Sequence, residues 1–139
     1  MFAEWKRKRE EKKAKAQAIS ESQYWKNHPR LRVCLQAMRG SCTLAPVELH
    51  EAAIAAVNIA LMENSWEEIQ SVPKDFLGDT VFLIWNDEKL PVLKAPWALA
   101  EGNIQEITAV AEKTFLVAEN LDRILWFDLD GRIKLYSIA

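Results

Sequence analysis

The chain has 139 residues, of which 50% are hydrophobic and 27% charged, a balance that suits one globular domain and excludes a disordered chain. The formal net charge of −2 conceals an asymmetry, because residues 1–39 carry eleven basic and four acidic side chains, net +7, while the remainder carries seven basic and sixteen acidic, net −9. A basic arm on an acidic body is an electrostatic dipole that steers partners.

The first residues are basic but precede no apolar run, so they are not read as a signal peptide. No stretch approaches the ~20 apolar residues of a membrane span. A cytoplasmic location without membrane contact is therefore expected. Cys34 and Cys42 have neither a CxxC nor a zinc spacing and are read as two ordinary thiols.

Residues 2–19 read as a solvated basic helix. Good helix formers dominate, and Glu4–Lys8 and Glu11–Lys15 stand at i,i+4. Its apolar stripe is thin, and deleting it is expected to leave the body folded. Pro29 suits the first turn of a next helix, with Leu31, Cys34, Leu35 and Met38 on one face and a stop at Gly40. Residues 46–63 form the clearest helix, with Val47, Ile54, Val57 and Leu61 as its stripe, His50 on the same face, and Glu48 and Glu51 near its positive end. Residues 64–78 read as a short turn of helix, from the capping-box pair Ser65 and Glu68, followed by a loop.

From Asp79 the pattern becomes β. Residues 80–85 are apolar on both alternating faces, as in a strand covered on both sides. Asn86-Asp87-Glu88-Lys89 is a turn, and Leu90 to Leu93 returns, although Pro91 restricts that run to an edge or a non-strand. Residues 104–112 follow a capping-box pattern and read as helix, with a strand over Ile107 to Val110 as the alternative. Residues 114–118, 123–127 and 132–138 are three strands joined by turns at Glu119–Asp122 and Asp128–Gly131, the last of them half exposed. Val81, Leu83, Trp85, Phe115, Val117, Ile124, Trp126, Ile133 and Leu135 are expected inside.

The predicted fold class is α+β: N-terminal helices followed by a mostly antiparallel sheet that ends in a β-meander. Residues 1–28 form the basic helical arm, and 29–139 a single acidic α+β domain.

Catalytic patterns do not emerge. Phosphate loops and nucleophile elbows are missing, and His28 and His50 lack ligand partners at metal spacing. Asp128-Leu129-Asp130-Gly131 opens like a calcium loop but lacks the later carboxylates, so a hairpin turn explains it better. The chain is therefore read as a non-enzyme with no cofactor and no metal.

Six tryptophans remain, three of them (Trp5, Trp25 and Trp97) in polar or loop contexts. They either anchor the arm to the body or serve a binding surface. An acidic body without an active site suits a protein that covers the basic cleft of a nuclease-like enzyme. From about residue 43 to the end, this small acidic α+β format with a closing β-meander resembles the immunity proteins of bacterial polymorphic and contact-dependent toxins.

That resemblance implies a stoichiometric complex with a cognate protein toxin. The contact candidates are the turn carboxylates Asp87, Glu88, Glu119, Asp122, Asp128 and Asp130, with Trp97 and Tyr136 as exposed aromatics at the apolar centre. The two meander turns lie at opposite ends of their shared strand, so one partner is not expected to use both fully. The strand order, which decides where Asp87 and Glu88 fall, is left open by the sequence. The alternative is a nucleic-acid-associated accessory protein, with Lys6, Arg7, Lys8, Arg9, Lys12, Lys13 and Lys15 on phosphates and Tyr24 and Trp25 on bases. Glu10 and Glu11 interrupt that basic run.

Overall fold

A computed structural model describes residues 28–38, 40–63 and 65–138. The expectations for the arm, including its helix, its phosphate-binding lysines and Arg7 and Arg9, and Trp5, Tyr24 and Trp25, lie outside the described residues.

Helix α1 (Pro29–Ala37) starts where proline costs no hydrogen bond. His28 caps it, its Nδ1 accepting the Leu31 N–H at 3.1 Å. Leu31, Cys34 and Met38 are fully buried, the spacing of one helical face. Gly40, at φ +74°, takes the left-handed turn that follows.

Strand β1 (Thr43–Leu44) precedes helix α2 (Val47–Met62). The inward stripe of α2 is Ala53, Val57 and Ala60, whereas Val47 and Leu61 are exposed and Ile54 is half-buried. This keeps Val57 and the core contact of Ile54 from the expected stripe and corrects it at Val47 and Leu61.

Residues 67–69 form strand β2 (Glu67–Ile69), not a turn of helix. Trp66 redirects the chain: its indole N–H donates to the Ala60 carbonyl at 2.8 Å, closing the end of α2. The next residues then lie antiparallel along the last strand, with Glu68 opposite Lys134.

The remaining strands are β3 (Thr80–Trp85), β4 (Leu93–Pro96), β5 (Lys113–Ala118), β6 (Arg123–Asp128) and β7 (Ile133–Ser137). Short helices α3 (Trp97–Gly102) and α4 (Ile104–Thr108) stand between β4 and β5. Among the described residues all seven strands join one antiparallel sheet in the order β1-β4-β3-β5-β6-β7-β2. The α+β class and the closing meander are as expected. Leu90, Pro91 and Val92 lie outside the strands, as the non-strand alternative expects, and β4 starts only at Leu93, between β1 and β3 and not at an edge.

The strongly apolar β3 and β5 have their physical reason in this layering. Val81, Leu83, Trp85, Leu116 and Leu125 pack with α1, α3 and α4 on one face. Phe82, Ile84, Phe115, Val117 and Ile124 pack with α2 on the other. Fully burying such a side chain contributes about 1.5–3 kcal/mol, so both faces of the central strands hold the fold. Trp126, Ile133 and Leu135, expected inside, are only half-buried because they lie toward the β2 side of the sheet. Among the described residues no helix is long and apolar enough to cross a membrane.

Candidate functional site

The sheet order settles where the turn carboxylates stand. β3 and β6 both run antiparallel to β5, hence parallel to each other. Trp85 lies opposite Thr114, and Thr114 opposite Phe127. The β3–β4 turn with Asp87 and Glu88 therefore shares an end of the sheet with the β6–β7 turn carrying Asp128 and Asp130. Glu119 and Asp122 occupy the other end.

At the Asp87 end both turns are braced. The Asn86 N–H donates to the Lys113 carbonyl at 3.1 Å, and the Lys113 N–H donates to Asn86 Oδ1 at 3.0 Å. Asp87 Oδ1 accepts the Lys89 N–H at 3.0 Å, the side-chain mimic of a backbone turn. In the β6–β7 turn Gly131 sits at φ +87°, as its Asp-Gly signal indicates. Asp130 Oδ1 accepts the Arg132 N–H at 3.1 Å, and its Oδ2 lies 3.4 Å from Arg132 Nε. The Leu129 N–H donates to the Glu112 carbonyl at 3.2 Å, which ties the turn to the start of β5.

These braces leave Glu88, Glu112 and Asp130 exposed, with Leu129 between Asp128 and Asp130 at 58% exposure. Within the described residues Glu88, Glu112 and Asp128 make no ion pair. Glu112 was missed in the sequence, where it reads only as the end of a helix.

The β3–β4 turn is a ridge between two concavities. A shallow one is lined by Asn86 to Lys89 and by Val110, Ala111 and Glu112. The other is a groove of about 240 Å³ between the turn and α2. Ile54, Val57 and Leu61 of α2 form one wall, Leu90, Pro91 and Val92 the other, and Phe115 belongs to the floor. His50, Asn58, Asn86, Asp87 and Glu88 supply its polar lining. His50 is half-buried there, at the edge of the core as its position on α2 indicated.

The Glu119 end differs. Glu119 pairs with Lys94 at 3.5 Å. Arg123 Nη1 donates to the Phe76 carbonyl at 3.0 Å, and its guanidinium lies over the Phe76 ring. The depression between them, about 290 Å³, is bordered by Asp75, Asp79, Glu119, Asp122 and Arg123.

The two proposed exposed aromatics are corrected. Tyr136 is buried at 4% exposure, its ring 5.4 Å from Trp66, and its hydroxyl donates to Glu63 Oε2 at 2.6 Å. That bond holds the phenol above its ordinary pKa of 10.0. Alternation along the last strand implies one covered face, but both faces are covered, and Tyr136 packs in the α2 layer. Trp97 is half-buried against the opposite core cluster. Exposed large apolar groups among the described residues include instead Ile59, Leu61, Met62 and Leu129.

Trp126 is flanked by two ammonium groups, Lys134 Nζ at 4.6 Å and Lys113 Nζ at 5.2 Å from its ring centroid. Cys34 is a fully buried thiol whose pKa is pushed up to about 12 by burial and by the charge of Glu106, which suits a packing residue better than a nucleophile. His28 is committed to its helix cap. Among the described residues no cluster of three or more histidine, cysteine or acidic side chains could hold a metal ion. No protein-family model matches the chain, and comparison with curated proteins finds no similar sequence.

Proposed function

We propose that this chain is a protein-binding inhibitor that neutralises a basic partner, in the manner of an immunity protein bound one-to-one to a cognate toxin. The observation that carries the reading is the convergence at one end of the sheet of two braced acidic turns, an exposed Leu129 and an apolar groove. Carboxylates on fixed turns draw in a basic surface and raise the association rate. Apolar groups within the ring of charge then slow dissociation by leaving water. The Glu119 end offers carboxylates without such an apolar groove, which favours the Asp87 end as the contact.

The substitutions that test this are Glu88→Lys and Glu112→Lys together. Both side chains are exposed, and neither braces a turn. Asp87 and Asp130 hold turn hydrogen bonds, and Asp128 lies opposite Lys113, where a new lysine would repel. Wild type and the double variant are used as baits in extracts of the native host. A protein captured by wild type, lost from the variant at low salt and inhibited by added wild type is the expected result. Recovery of nucleic acid alone, or equal capture of the same protein by both baits, overturns the proposal.

A further inference from the structure

We infer that the groove between α2 and the β3–β4 turn seats one aliphatic side chain, leucine in size, from a basic segment of the partner. This rests on the protein-binding reading above and adds what the partner must present. The groove, at about 240 Å³, falls below the roughly 300–1,000 Å³ of pockets that enclose whole small molecules. Its volume suits a side chain better than a metabolite.

The wall chemistry selects that side chain. Ile54, Leu61, Leu90 and Val92 offer no hydrogen bond, so an aliphatic group packs between them at no polar cost, while His50, Asn58, Asn86 and the lip carboxylates supply the polar lining. Leu61 is 43% exposed in the unbound chain, an apolar surface available for burial. The lip supplies the second half of the specificity. Asp87 and Glu88 border the groove, and Glu88 makes no ion pair among the described residues. A lysine or arginine beside the inserted leucine meets these carboxylates while the leucine fills the groove. An acidic segment with the same leucine is repelled there.

The experiment uses three synthetic peptides: one rich in lysine and arginine with a single central leucine, the same peptide with alanine there, and a counterpart with glutamate in place of every basic residue. Each is titrated into the full chain at low salt, with affinity and the amide shifts of Leu61 and Val92 as readouts. The leucine peptide should bind about tenfold more tightly than the alanine peptide and shift both amides. Leu61→Lys, with its melting temperature checked, should erase that advantage. Equal binding of the leucine and alanine peptides, both weakened by Glu88→Lys with Glu112→Lys, overturns the groove and leaves the acidic-turn reading standing. Basic peptides that bind no better than the glutamate peptide overturn both.

Discussion

The two ends of the sheet use carboxylates differently. At the Glu119 end several charged and aromatic groups are tied to the framework: Glu119 to Lys94, Arg123 to the Phe76 carbonyl, and the nearby Tyr136 hydroxyl to Glu63, while Asp75, Asp79 and Asp122 border a depression with little apolar lining. At the Asp87 end Asp87 and Asp130 brace their own turns, and the neighbouring carboxylates stand clear beside exposed apolar groups. Acids engaged by the fold contribute to stability, and acids displayed by it are available to a partner. The contrast predicts that substitutions on the first side cost folding and those on the second cost binding.

The largest effect on folding should come from Trp66→Ala. Trp66 closes α2 through the Ala60 carbonyl and packs at 5.3 Å from Trp126 and 5.4 Å from Tyr136. Its loss should lower stability by about 2–3 kcal/mol in urea melts. An unchanged midpoint would show that α2 and β2 do not depend on that junction.

A smaller effect, visible only at high pH, belongs to Tyr136. Its folded pKa is raised, so stability present below the unfolded value of 10.0 is lost as pH climbs toward the folded one. Tyr136→Phe should flatten that alkaline decline in a series of melts above pH 10.0. Parallel declines in both proteins would contradict the Glu63 bond. The smallest folding effect is expected from Glu88→Lys with Glu112→Lys, within about 0.5 kcal/mol of wild type, because both are exposed and unbraced. A larger loss would mean that the Asp87 end is also structural.

The parts legible in the sequence are those with local causes. The double-faced apolar run of β3, the Asp-Gly turn before β7 and the proline at the start of α1 each mark their element. Other parts depend on contacts far along the chain. Glu67-Glu68-Ile69 has no strand signal, and becomes β2 only because β7 offers an edge. Helix α3 spans six residues, too few to form without tertiary support. Tyr136 was placed outside because alternation alone does not reveal that both faces of the sheet are covered. The site was half legible: the turn carboxylates could be named, but their grouping needed the strand order. The groove needed the finding that Ala53, Val57 and Ala60 face the sheet from α2, with Leu61 left exposed and Ile54 half-buried.

The most direct measurement is the association rate with the captured partner protein, followed by stopped flow at low and high salt. Glu88→Lys with Glu112→Lys should slow association by about tenfold or more at low salt, with the difference shrinking as salt rises. Glu119→Lys with Asp122→Lys should change it by less than about threefold. Equal slowing by both pairs, or a larger effect from the Glu119 pair, would contradict the assignment of the contact to the Asp87 end.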